Sequence, residues 1–238
     1  MKKKILFFIS LLLAKAAIAQ TPQEIINNYI EATGGKEKYN INAYQLKRSY
    51  TANAATDFTE VVTVVESENK FSKVKSIMDR DFYYILNDAA GWIKIPMGSR
   101  DKAPTYSVKD LNAKEKEDLK QEITDGIWPF IDFEKKGYKT SGNVSTTTLD
   151  GVACSGLVLE KEGIKREYFF DKTTGLLKRE ITTEAGITNT YDILKYNTVT
   201  GLKYVSEASY INTKDKKKTQ VLTTLKLENP TLGVSFTK

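Results

Sequence analysis

The sequence predicts a mainly β protein with two or more short helices, in which a strongly curved antiparallel sheet or open barrel carries the helical segments. Apolar and polar residues alternate along most of the chain, as in strands with one buried face. Six turn signals divide the C-terminal half into about seven strands: Asp150-Gly151, Glu162-Gly163, residues 171–175, Ala185-Gly186, Thr200-Gly201 and Lys214-Asp215. With about eleven strands in all, a flat sheet would leave long edges, so we expect it to curl.

The first helical segment covers residues 21–33. Thr21 is placed to cap it, with Pro22 at the first helical position and Glu24 completing a capping box. Gly34 and Gly35 follow, which predicts a helix C-terminus rather than a phosphate-binding loop, because the frame of such a loop is missing.

The second helical segment is predicted over residues 107–123, where helix-forming residues dominate and Ser107 is placed to cap. Directly after it, residues 126–133 form the most apolar loop-like stretch of the chain. Pro129 prevents a continuous helix there.

Residues 1–19 have the pattern of a secretory signal peptide: three lysines, an apolar run over residues 5–13, and small residues ending at Ala19. We expect cleavage before Gln20, a single domain over residues 20–238, and a periplasmic location without a membrane span. Four of the 36 basic residues lie in the signal, leaving 32 against 30 acidic ones, so the net charge falls from +6 to +2. This balance argues against nucleic acid as a partner.

The sequence contains no histidine, which excludes Ser-His-Asp and Cys-His catalysis and histidine metal sites. We expect no cofactor and no metal. The acidic pairs Asp79/Asp81 and Glu66/Glu68 leave a carboxylate hydrolase open as an alternative, although such pairs are usually the polar face or turn of a strand. Cys154, the lone cysteine, is predicted to be an inert buried thiol.

Two apolar segments suit the mouth of a ligand cavity. They contain both tryptophans of the chain, and large aromatic and thioether side chains suit an acyl chain. The candidate lining residues are Trp92, Ile95, Met97, Trp128, Phe130 and Ile131. The alternative is that these residues simply close the core. The basic runs at residues 135–136 and 214–218 are either solvated hairpin tips or a docking patch for anionic headgroups or an envelope membrane protein.

Four stretches together resemble a known family: EIINNYIEATGGKEKY, AAGWIKIP, DGVACSGLVLEKEGIKREYFFDKTTGLLKRE and the tail SFTK. In this order they are similar to the exported outer membrane lipoprotein-sorting proteins of Bacteroidetes, relatives of the LolA/LolB lipoprotein carriers. The resemblance implies a half-open β-barrel with a helical lid, and periplasmic transport of a lipid or acylated lipoprotein without catalysis. It also implies an arginine that holds the lid, for which Arg48 and Arg80 are the candidates.

The sequence therefore predicts a carrier that binds a lipid or lipoprotein acyl chain in an apolar cavity. The alternative is an envelope interaction module of the same fold with a filled core, which would bind its partner through its surface.

Overall fold

The computed structural model describes residues 20–52, 57–99, 101–125, 127–214, 216–227, 236 and 238. The predicted signal peptide lies outside these residues. Helix α1 spans Pro22–Ala32 and helix α2 spans Ala113–Thr124, and single 3-10 turns cover Lys36–Tyr39 and Glu66–Glu68. The strands are β1 Ala43–Thr51, β2 Phe58–Val65, β3 Lys70–Ile77, β4 Arg80–Asn87, β5 Ala90–Met97, β6 Thr105–Asp110, β7 Lys139–Thr140, β8 Ser145–Leu149, β9 Val152–Lys161, β10 Ile164–Asp171, β11 Leu177–Glu184, β12 Ile187–Val199, β13 Leu202–Asn212 and β14 Thr219–Lys226.

All strands of the described chain belong to one antiparallel sheet of 14 strands, which confirms the predicted fold class. Strands β1 to β6 form one meander and β9 to β14 form another. The two meanders join where β1 pairs with β14, from Gln45 opposite Lys226 to Thr51 opposite Gln220. The sheet is not closed: β6 forms one edge, and β7 and β8 both pair with β9 at the other.

Helix α1 begins and ends as predicted. The Thr21 hydroxyl accepts from the Glu24 amide at 3.2 Å, and the Glu24 carboxylate accepts from the Thr21 amide at 2.8 Å. At the other end the Gly35 amide donates to the Ile30 carbonyl at 2.9 Å, and Gly34 has φ +126°. A Cβ at Gly34 would lie 2.4 Å from the Gly201 carbonyl oxygen, so close packing as well as conformation requires glycine there.

The prediction of a helix over residues 107–123 is wrong in its first part. Residues 105–110 form strand β6, which pairs with β5, and α2 begins only after Asn112. The Asn112 side chain accepts from the Glu115 amide at 3.0 Å, and the Glu115 carboxylate accepts from the Asn112 amide at 2.9 Å. This reciprocal cap fixes the helix start five residues later than Ser107.

The predicted hairpins of the C-terminal meander are confirmed. At Asp150-Gly151, Glu162-Gly163, Ala185-Gly186 and Thr200-Gly201 both turn residues have positive φ, as type I′ turns require. Two signals remain. Residues 171–175 connect β10 to β11, and there the Gly175 amide donates to the Asp171 carbonyl at 2.8 Å. Lys214-Asp215 falls at the β13–β14 connection, where Asp215 lies outside the described residues.

The concave face of the sheet is covered by α1, by α2 and by the connection formed by residues 125 and 127–138, hereafter the crossing segment. Helix α1 and the crossing segment pack on the C-terminal meander, where Ile25, Ile26, Tyr29, Phe130 and Phe133 are buried. Helix α2 packs on the other half through Leu119 and Ile123. No helix among the described residues is long and apolar enough to cross a membrane.

Candidate functional site: a cavity under the crossing segment

A cavity of about 460 Å³ lies between the concave face of the sheet and the start of the crossing segment. This volume falls within the range of about 300–1,000 Å³ that is usual for small-molecule sites. The crossing segment contributes Ile127, Trp128, Pro129 and Phe130 to the lining, and α1 contributes Tyr29. The cavity thus lies under the apolar loop-like stretch that the sequence singles out.

Aromatic contacts hold the crossing segment on the sheet. The Phe130 ring, 1% exposed, packs edge-on against Tyr29 at 5.0 Å, Tyr168 at 4.9 Å and Phe170 at 5.3 Å between ring centroids. The half-buried Trp128 contacts Tyr39 at 4.9 Å. Phe130 therefore anchors the segment in the core, while Trp128 has a partly open surface at the cavity.

The wall that the sheet contributes is apolar at its centre. Inward-facing residues of five strands line it: Val62, Leu177, Ile193, Val205, Ala208 and Val221. Contact with these side chains would remove apolar ligand surface from water, which favours binding by about 25 cal/mol per Å² of apolar surface buried.

Charged groups flank this apolar wall on both meanders. Arg48 on β1 lies 3.8 Å from Glu60 on β2. Arg166 on β10 lies 3.3 Å from Glu180 on β11. Burial acts against the charge of both guanidinium groups, but neighbouring tyrosines and carboxylates outweigh it and raise the pKa of each.

A polar network connects the end of α2 to β10. The Tyr138 hydroxyl donates to Asp125 Oδ2 at 2.6 Å and accepts from Arg166 Nε at 3.0 Å. Arg166 also lies 3.9 Å from Asp125. Burial, together with the bond to Asp125, raises the pKa of Tyr138 to about 12, so this hydroxyl is a stable donor at neutral pH.

The structure separates the predicted lining residues. Trp128 and Phe130 line the cavity, whereas Ile131 lines a different concavity of about 630 Å³ between α1 and the crossing segment. Trp92 is buried on the opposite, convex face of the sheet with Ile85 and Phe236. Ile95 and Met97 are exposed on β5 by 37% and 51%. Contact of any of them with a ligand stays a prediction.

The two arginine candidates also separate. Arg48 lines the cavity, while Arg80 donates to backbone carbonyls after β5, among them that of Met97 at 3.2 Å. Of the basic runs, Lys136 is turned inward and its ammonium group donates to the Trp128 carbonyl at 2.7 Å. Burial lowers the pKa of Lys136.

Neither acidic pair lies in a cleft, and Glu66 and Glu68 are exposed in the second 3-10 turn. Asp79 is exposed in the β3–β4 turn, and Asp81 accepts hydrogen bonds from Ser76 and Tyr83. Within the described chain no group of three or more Cys, Asp or Glu side chains is arranged to hold a metal ion. Cys154 is a buried free thiol, as predicted, and burial raises its pKa.

Of the charged part of the lining, sequence reasoning named only Arg48, as a candidate to hold the lid, and missed the rest. One signal was present: Arg48 shares the inward face of a strand with Tyr44, Leu46 and Tyr50, where an apolar residue would be usual. Arg166 occupies the same kind of position before Tyr168 and Phe170. An arginine in the apolar register of a strand can thus indicate a lined cavity rather than a filled core.

No protein-family model matches the sequence, and no curated protein matches it. Several solved structures are similar to this chain in fold. A LolA superfamily protein, NE2245 from Nitrosomonas europaea, is 12% identical over 91% of this chain and 99% of its own, with a TM-score of 0.51. A DUF1329 family protein from Desulfovibrio piger is 10% identical over 91% and 96% of the two chains, but its TM-score of 0.42 is too low to carry an argument. At these identities the likeness concerns the fold alone, and the fold of this chain is LolA-like.

Proposed function

We propose that this protein is a periplasmic carrier that holds an acyl chain of a lipid or acylated lipoprotein in the cavity under the crossing segment, without catalysing a reaction. The cavity carries the proposal, because it combines an apolar wall and Trp128 with charged groups that flank this wall. This is the lining that an amphiphile requires. The LolA-like fold supports a carrier role by analogy of architecture.

The energetics are sufficient for reversible binding. Each methylene transferred from water contributes about 0.8 kcal/mol, so about eight methylenes would contribute roughly 6 kcal/mol before the costs of ordering. The full chain of a lipid would contribute more. A chain of about fourteen methylenes would contribute roughly 11 kcal/mol, of which about 7 kcal/mol would remain after an ordering cost of about 4 kcal/mol, and this corresponds to a dissociation constant of about 10 μM.

The first test is native mass spectrometry of the protein purified from its own periplasm without detergent, followed by organic extraction. We expect a bound lipid or acylated species. A mass equal to that of the polypeptide alone, which stays unchanged when lipid is added, would contradict the proposed carrier function.

The two tryptophans allow a second test that locates the chain. They lie on opposite faces of the sheet. The Trp92→Phe variant retains only Trp128, at the cavity, and the Trp128→Phe variant retains only Trp92, on the convex face. A bromine-labelled acylglycerol should quench the fluorescence of the first variant and not of the second. Equal quenching in both variants would place the chain outside the cavity.

An interaction module of the same fold is the second candidate, favoured by the exposed edge of the N-terminal meander. All residues of β6 are exposed, and Tyr106, Val108, Ile95 and Met97 present apolar surface there. Such an edge can accept a strand from a partner protein. If the protein binds no lipid but binds a partner protein through strand β6, that result would support this function instead.

A further inference from the structure

The charges around the cavity are nearly balanced, with a surplus of carboxylates. Three cations line it, and each has a carboxylate partner: Arg48 with Glu60, Lys73 with Glu122, and Arg166 with Glu180. The fourth carboxylate of the lining belongs to Asp125, which lies 3.9 Å from Arg166 and so shares that cation with Glu180. An anionic ligand would thus have to displace an existing ion pair, whereas a hydrogen-bond donor would not.

Asp125 is incompletely satisfied. The residue is 5% exposed, and its Oδ2 atom accepts the Tyr138 hydroxyl, but Oδ1 is buried without a hydrogen-bond partner in the described structure. A buried carboxylate oxygen in this state is costly unless a donor completes it. The ammonium group of Lys136, on the crossing segment, donates to the Trp128 carbonyl.

The position of Asp125 at the end of a helix also favours a hydrogen-bond donor as its ligand. It caps the C-terminus of α2, and its amide donates to the Gln121 carbonyl at 2.9 Å. The carboxyl end of a helix carries negative potential, and the last turn of α2 contains no basic residue. A strong donor at this point of the cavity would therefore meet favourable potential from both the carboxylate and the helix, opposed only in part by the Arg166 guanidinium 3.9 Å from Asp125 Oδ2.

We infer that the cavity selects amphiphiles whose polar end donates hydrogen bonds, above all a primary ammonium group, and that this group is received by Asp125 beside the apolar wall. This inference rests on the proposed function, because it assigns the polar end of the ligand whose acyl chain the cavity holds. It predicts discrimination against a carboxylate head on the same alkyl chain.

The test compares three probes with one chain length: dodecylamine, dodecanol and dodecanoate, each below its micelle concentration at pH 7. Affinities are measured by titration calorimetry on the chain from Gln20 onward. We expect dodecylamine to bind at least about tenfold more tightly than dodecanoate, with dodecanol between them, since a hydrogen bond to a charged group is worth at least that factor.

Asp125→Asn tests the assignment, because asparagine keeps an acceptor for Tyr138 and removes the charge. Glu180→Gln is a second variant, which removes the charge of another lining carboxylate without changing a residue at the end of α2. Glu160→Gln, on the exposed part of β9, is the charge-matched control. We expect the preference for the amine to fall several-fold in Asp125→Asn and to remain in Glu160→Gln. Thermal melting of each variant establishes that it is folded.

The outcomes separate the two claims. If dodecanoate binds as tightly as dodecylamine, or if the preference survives in Asp125→Asn, the inference is overturned while the carrier function stands. If none of the three probes binds the folded protein, both fail together.

Discussion

Replacing Phe130 by alanine would test whether the crossing segment is anchored by its aromatic contacts. The ring is buried among Tyr29, Tyr168 and Phe170, so its removal leaves a cavity in the core as well as losing three edge-on contacts. Substitutions of this kind cost about 3–5 kcal/mol of unfolding free energy. In a domain of this size each kcal/mol corresponds to a shift of about 2–4 °C, which gives a melting temperature lower by roughly 6–20 °C.

The assay is thermal unfolding followed by circular dichroism, with urea unfolding as an independent measure. Phe130→Leu is the matched control, because leucine keeps most of the buried apolar volume, and we expect less than half of the loss. Trp128→Ala serves as the contrast, since its side chain is only half-buried and should affect ligand uptake more than stability. A loss below about 1 kcal/mol in Phe130→Ala would refute the reasoning, because no large buried side chain leaves a core at that cost.

Two further predictions concern the backbone and alkaline pH. Gly34→Ala should destabilise the protein more than Gly35→Ala in urea unfolding: both have positive φ, but a Cβ at Gly34 would collide with the Gly201 carbonyl, whereas a Cβ at Gly35 meets no atom within 4 Å. Equal effects would show that conformation alone matters. Burial raises the pKa of Tyr39 and of Tyr44 from 10.0 to about 12, so the folded state holds these protons longer than the unfolded state. The contribution of these two tyrosines to stability should therefore be constant below pH 10 and be lost as the pH rises through 12. The part of the 295 nm absorbance that disappears in Tyr39→Phe and Tyr44→Phe should increase together with unfolding; an increase of that part well before unfolding would contradict the prediction.

Local signals account for the parts of the fold that sequence could predict. The capping box at Thr21 and the X-Gly turns are contained within a few residues, so α1 and the C-terminal hairpins follow directly from them. Strand β6 has no such signal. All its side chains are exposed, and it is a strand because it pairs with β5, while the cap that starts α2 at Asn112 lies within the range predicted as helix.

The candidate site was predictable only in its apolar part. Trp128 and Phe130 belong to a conspicuous apolar loop, but nothing local distinguishes Trp128 from Trp92, which the strand register turns to the convex face. The charged part of the lining depends on contacts between residues that are far apart in the sequence. Arg166 meets Asp125 only because the crossing segment returns over β10, and no spacing along the chain indicates this contact.

The pairing of β1 with β14 has a consequence for how the chain folds. Gln45 and Lys226 are opposite each other at the centre of the sheet although nearly the whole domain separates them in sequence. Closing so long a loop is entropically expensive and slow, and proteins dominated by such contacts fold on the millisecond to second scale. As the chain emerges from its amino end, the first meander carries an unpaired inner strand until the last strand arrives. The two halves therefore become one sheet, and the cavity between them acquires its full lining, only when almost the entire polypeptide is available.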